Sequence, residues 1–106
     1  MGKYRFVQNE RLGIRLPELD REWEDYPLEE RAAILVQWEQ IRGTIPDRIK
    51  ELETRIAGKQ DRMNEEPDFV KCCELNSEIA ELASCINDLH IWFRLNQELT
   101  SKRHSE

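Results

Sequence analysis

The sequence lacks most of the features that would tie it to a membrane, a disulfide scaffold or a sheet. Its longest uninterrupted apolar run is Ala32-Ala33-Ile34-Leu35-Val36, far short of the roughly 18–20 apolar residues that span a bilayer. Residues 1–16 mix charged and apolar types and contain no signal-peptide core. A cytoplasmic protein without membrane contact is therefore expected. Cysteine is limited to three residues, and an odd count with Cys72 and Cys73 adjacent makes a poor disulfide framework. On a helix Cys72 and Cys85 would stand about 140° apart at roughly 100° per residue, so the cysteines read as small buried hydrophobes. Glycine is limited to four residues, and no Asn-Gly or Asp-Gly hairpin turn occurs. Strand signals are confined to Lys3-Tyr4-Arg5-Phe6-Val7, a short extended segment at most.

What is present is helical in character. The chain has 106 residues, 36% charged and 39% hydrophobic, which bounds it to one small domain with a modest core. Charge is unevenly spread. Residues 1–16 carry Lys3, Arg5, Arg11 and Arg15 against Glu10, while the whole chain has a net charge of −6, so the rest is strongly acidic. An acidic body argues against a nucleic-acid duplex as partner, because phosphate contact needs basic groups gathered on one surface. The basic arm can lie on the acidic body, its own or a neighbour's, or stay solvated.

All four prolines punctuate. Pro17, Pro27, Pro46 and Pro67 each precede acids and helix formers, as suits the first turn of a helix, where the missing N–H costs nothing. The spacing predicts a short helix over 17–26, with Leu19, Trp23 and Tyr26 on one stripe. A second stripe runs Ile34, Trp38, Ile41, Ile45, Ile49, Leu52, Ile56, Lys59, Met63, a heptad pattern with one stutter at Ile45–Ile49. Thr44 with Asp47 has the form of a helix N-cap, yet the stripe does not stop there. The reading favoured is one helix over 28–64, kinked near Pro46. Asn64-Glu65-Glu66-Pro67 reverses the chain. Phe69, Cys72, Leu75, Ile79, Leu82, Ile86, Leu89, Phe93 and Asn96 then mark a second arm over 67–99, leaving 101–106 as a disordered tail. The arms are about 55 and 50 Å long at 1.5 Å per residue, matched as an antiparallel hairpin requires.

One hairpin cannot bury everything. Val70, Cys73, Ala80 and Ala83 flank the seam of the second arm, and Trp92, Leu95 and Leu99 extend it, an arc that belongs in a bundle of three or more helices. The helix over 17–26 is too short to cover a 50 Å groove. The fold class expected is therefore all-α: a long antiparallel hairpin with a short N-terminal helix and an extended basic arm over 1–16, paired as a homodimer into a four-helix bundle.

Chemistry is sparse. His90 is the one histidine before the polar tail that holds His104, and no Glu-x-x-His or His-x-x-x-His pair supplies a metal site. Asn76, Asn87 and Asn96 lie on or beside the seam, where such residues set register. No phosphate loop, nucleophile elbow or zinc-type cysteine spacing occurs. The expectation is a non-catalytic interaction or regulatory protein without metal or cofactor. Its candidate anchors are Trp38, Ile41, Trp92, Phe93 and Leu95, and its partner is itself or another protein. An enzyme would need Ser77, Glu81 and His90 to converge. An acidic antagonist of a nucleic-acid-binding protein is a further alternative.

Asp68-Phe69-Val70-Lys71-Cys72-Cys73-Glu74-Leu75, continuing through Ile79 and Leu82, resembles the second half of the UVR motif; with the preceding arm the likeness covers about residues 52–82. In that family a short helical hairpin joins excision-repair subunits B and C and recurs in regulators of protease adaptors. The resemblance implies a hairpin that binds protein. Cys72-Cys73 stand where the family has Ala-Ala, and Asn76-Ser77 where it has Arg-Asp. The hairpin also looks like those of the sporulation phosphatases, whose Ser-x-x-x-Asp would be Ser77 and Glu81 here. That implies a phosphatase-like regulator, although the aspartate is replaced.

Overall fold

The computed structural model describes the backbone of residues 4–105 and the side chains of residues 4–95. In chain order it contains β1 (Tyr4–Asn9), β2 (Ile14–Leu19), a 3-10 turn at Trp23–Asp25, α1 (Leu28–Arg42), α2 (Ile45–Glu65) and α3 (Phe69–Ser105). Helix accounts for 72% of the residues, and the molecule is elongated, 59 × 27 × 19 Å. Among the described residues no helix is long and apolar enough to cross a membrane.

α1 and α2 form one long bent arm. Gly43 and Thr44 keep helical dihedrals, and the Gly43 N–H still reaches the Glu39 carbonyl at 3.0 Å. Thr44 N–H instead donates to Ile41 O at 2.9 Å, a tightened i−3 bond, and Pro46 has no N–H to offer the turn before it. The Thr44 hydroxyl adds a 2.7 Å bond to the same Ile41 carbonyl. The bend therefore has a proline cause, and the ladder resumes with Arg48 N–H to Thr44 O. The apolar stripe crosses the bend unbroken. Ile34, Trp38, Ile41, Ile45, Ile49 and Leu52 are all buried, and Ile56, Lys59 and Met63 are half-buried.

The reversal is built from local bonds. The Asp68 carboxylate accepts the N–H groups of Val70 and Lys71 at 2.8 and 3.4 Å, capping α3, and the Glu66 carboxylate accepts the Asp68 N–H. The Cys72 thiol turns back to the carbonyls of Glu66 and Met63 at 3.2 and 3.6 Å. Leu75, Cys85 and Leu89 then bury against the first arm, with Ile79, Leu82 and Ile86 half-buried beside them. α3 continues to Ser105, past the end at Leu99 and through the tail expected to be disordered, because neither glycine nor proline occurs after Pro67 to stop it. The side chains of Asn96, Leu99 and His104, to which the sequence assigned places, lie outside the described residues.

The N-terminal quarter departs from the all-α expectation with a small two-stranded sheet. Of the expected arm over 1–16, residues 4–16 belong to a hairpin, and 17–26 hold the end of its second strand and a 3-10 turn, not an α-helix. β1 and β2 pair antiparallel, Tyr4 with Leu19 and Asn9 with Ile14. In this register Tyr4 and Phe6 share one face with Leu19 and Pro17, while Ile14 and Leu16 share the other with Asn9 and Val7, so both faces carry apolar side chains. Pro17 sits in β2 opposite Phe6, a place in an edge strand that asks no N–H of it. The turn is closed by Asn9, whose side chain accepts the Leu12 N–H at 2.9 Å, and by Gly13 at φ +77°. A two-stranded hairpin is marginal alone, but here Leu12 and Ile14 bury in one core with Trp38, Ile41, Ile45, Ile49, Leu52, Cys85 and Leu89. Surplus apolar surface on the helical arms is thus covered partly from within the chain. Nothing in the structure bears on the paired four-helix bundle.

An ion pair joins the arms at their surface, Lys59 Nζ meeting Glu78 at 2.8 Å, and within α2 Arg48 pairs with Glu51 one turn on. The hydrogen bond from Lys59, then its charge, holds the Glu78 carboxyl below the ordinary glutamate value; Arg48 does the same for Glu51. With folded pKa values depressed, this contribution is complete above the ordinary glutamate range and is lost as pH falls through the lower folded values. A small drop in thermal midpoint is expected on acidifying from pH 7 to about pH 3. Glu78→Gln should lose less over the same interval; parallel curves for the two proteins would refute the assignment.

Candidate functional site

The bend at Pro46 controls what is open to solvent. α2 packs along α3 far more extensively than α1 does, so beyond the bend α1 leans off and the gap is filled from the N-terminal segment. Trp38 of α1 and Trp92 of α3 meet edge to face across that gap, with ring centroids 5.7 Å apart. Pro17, Leu19 and Trp23, from the end of β2 and the 3-10 turn, close over them. Between these elements lies a crevice of about 90 Å³, walled also by Ile34, Leu35 and Leu95. Every wall residue is apolar. The segment that shapes it is fixed by Tyr26, 1% exposed, whose hydroxyl accepts the Asp20 N–H at 3.0 Å and whose carbonyl accepts from Arg31.

The structure therefore separates the five anchors read from the sequence. Trp38, Trp92 and Leu95 converge on the crevice. Trp38 at 4% and Ile41 at 6% exposure are core residues; Trp38 also walls the crevice, whereas Ile41 does not. Helical periodicity identified the apolar face but not that the hairpin covers this part of it. Phe93 lies elsewhere, half-buried, with the Arg42 guanidinium 4.6 Å above its ring and a separate recess beside it that His90 and Pro46 also line. Trp23 and Leu35 belong to the crevice as well. The Leu19-Trp23 pairing was visible in the sequence, although it was assigned to a helix.

The residues an enzyme would need do not converge. Ser77 and His90 are 13 positions apart on α3, about 20 Å at 1.5 Å per residue. The Glu81 carboxylate is held by Arg11 Nε at 2.8 Å, while the other guanidinium nitrogens of Arg11 take Asp88 at 2.8 Å and the Ser84 hydroxyl at 2.9 Å. These bonds raise the Arg11 pKa further still, so the side chain is always charged. The basic segment thus lies on the protein's own acidic helix. Cys85 is buried, and its thiol points to the Arg11 carbonyl at 3.7 Å. Cys72 is half-buried at the turn. Cys73, expected inside, is exposed, because it falls on the opposite side of α3 from Leu75 and Leu82. Among the described residues no three His, Cys, Asp or Glu side chains gather as a metal site. No protein-family model, curated protein or solved structure matches the chain.

Proposed function

We propose that the chain is a non-catalytic interaction module whose apolar crevice accepts one aliphatic side chain from an amphipathic helix of another protein. The observation that carries this is the crevice itself, with three tryptophans in its wall. At about 90 Å³ it is well below the roughly 300–1,000 Å³ of small-molecule pockets, but it has room for a side chain. Its Leu35 wall continues on α1 into exposed Leu28, Ala32 and Val36, with Leu28 67% and Val36 59% exposed. That stretch spans nine residues, about 12 Å at 1.5 Å per step, matching the i, i+3/i+4, i+7 anchors of a docked helix. The likeness of residues 68–82 to the UVR motif supports protein binding in general.

Selection of displayed amphipathic helical peptides against the full chain, followed by tryptophan-fluorescence titration, tests the proposal. Peptides with aliphatic anchors should bind and shift the emission. Leu35→Glu, at a half-buried wall position, should weaken them at least about tenfold with an unchanged circular dichroism spectrum. Equal binding to Leu35→Glu would place the peptides elsewhere and end this reading.

A further inference from the structure

A polar cavity of about 220 Å³ lies between the hairpin and α1, and it shares no wall residue with the crevice. The strand register puts Gln8 opposite Arg15, so the two side chains stand on one sheet face, and Tyr4 is on that face four residues before Gln8. The face turns toward α1, where the Gln37 amide donates to the Tyr4 hydroxyl at 3.4 Å. Gln40 and Thr44 follow Gln37 at steps of 3 and 4, on the same side of the first arm. A cross-strand pair and an i,i+4 pair of polar side chains therefore confront each other across the cavity. Buried Ile14 and Ile41 supply its apolar floor, and Gly13, without a side chain, leaves it open.

The fold leaves these polar ends unused. Among the described residues, the side chains of Gln8, Arg15 and Gln40 make no hydrogen bond or ion pair with the rest of the protein. No carboxylate lines the cavity, and Glu39, beside Gln40 in sequence, is paired with Arg42. The Thr44 hydroxyl gives its proton to the Ile41 carbonyl at 2.7 Å, so toward the cavity it can only accept. The walls thus present a planar cation, two amides that both donate and accept, and an oxygen that requires a donor. We infer that the cavity binds a small free amino acid with a polar side chain. Its carboxylate pairs with the Arg15 guanidinium, whose fork matches that geometry. Its ammonium donates to Thr44 Oγ1, and its side chain exchanges hydrogen bonds with the amides of Gln8 and Gln40. A simple carboxylate would leave the Thr44 oxygen without a donor. At about 220 Å³ the space is below the roughly 300–1,000 Å³ of drug-sized pockets, which suits a molecule this small. One ion pair and a few partly solvated hydrogen bonds give a dissociation constant of about 0.1–1 mM.

Proton–nitrogen correlation NMR of the full chain, titrated with L-glutamine and separately with propionate, tests the inference. L-Glutamine should give saturable shifts at the amides around Gln8, Gly13, Arg15, Gln40 and Thr44. Propionate keeps the carboxylate but has no donor, and should bind at least about tenfold more weakly. Arg15→Gln removes the carboxylate's partner at an exposed strand position and should weaken L-glutamine at least about tenfold. Thr44→Val removes the acceptor, and should weaken L-glutamine severalfold while leaving propionate unchanged, a split that a general distortion of the bend would not produce. Circular dichroism verifies that both variants fold; if either does not, the wild-type comparison of the two ligands decides alone. Shifts that rise linearly to about 20 mM without saturating, propionate that binds as well as L-glutamine, or binding that ignores Arg15→Gln would each overturn the proposal. Leu35→Glu, in the crevice, should leave this titration unchanged, so the two sites succeed or fail separately.

Discussion

Trp38→Ala is expected to lower the unfolding free energy by about 3–5 kcal/mol, the range for deleting a fully packed aromatic side chain. The indole is 4% exposed and joins the helical core to the crevice. Its removal leaves a void that Trp92, fixed on the rigid α3, closes only in part. The edge-to-face contact at 5.7 Å is lost as well. A chain of this size has roughly 5–15 kcal/mol in all, so the variant is expected to be close to half-unfolded in mild urea. Trp38→Phe retains an edge-on ring and should lose clearly less. The measurement is urea unfolding followed by far-ultraviolet circular dichroism, at a concentration where the protein is monomeric. Under those conditions the midpoint should fall while the slope stays constant. A cost below about 1 kcal/mol would mean that Trp38 is not packed as a core residue.

The comparison between Trp38 and Gly13 shows which parts of this fold are written locally. Ile34 to Met63 form an unbroken period, so the buried face of the first arm was legible through Pro46, including the bend, because a proline cannot hide what its missing N–H does to a helix. The reversal at Glu66–Asp68 was equally legible, because acids and proline coincide there with a break in the stripe. The hairpin was not. Its strands are six residues each, and β2 contains Pro17, which beside acidic residues resembles a helix start. Its stability comes from distant groups: Arg11 on α3, Arg48 on α2 and the apolar floor between them. Periodicity within a segment carries no information on those contacts. The same gap explains why the burial of Trp38 and Ile41 under the hairpin is not legible: a stripe tells which side of a helix is apolar, not which element covers it. For the crevice, Trp92 and Leu95 were found by that logic and Trp23 only by its spacing from Leu19.

Gly13→Ala tests whether that docked turn holds the N-terminal hairpin in place. Gly13 has φ +77°, where an L side chain costs roughly 1–2 kcal/mol. A Cβ there would also stand 2.5 Å from Arg48 Nε. The guanidinium is not free to swing aside at no cost, because that same Nε donates to the Leu12 carbonyl at 2.9 Å and another nitrogen pairs with Glu51. Displacing it leaves the half-buried turn carbonyl without its charged donor, worth about 1.5–3 kcal/mol more, so with the conformational part a total loss of about 2.5–5 kcal/mol is expected. Arg48→Ala separates the two causes: it removes the clash and the bond but not the backbone strain, so Gly13→Ala in that background should cost only the smaller, conformational part. Hydrogen exchange localises the effect. Amides of β1 and β2 should exchange faster in Gly13→Ala, while those of α2 and α3 near the reversal keep their protection. Uniform loss of protection along the chain would mean that the hairpin and the helical arms unfold as one unit. No change in the strands would mean that the turn is not the clamp, and that Leu12 and Ile14 hold the hairpin by burial alone.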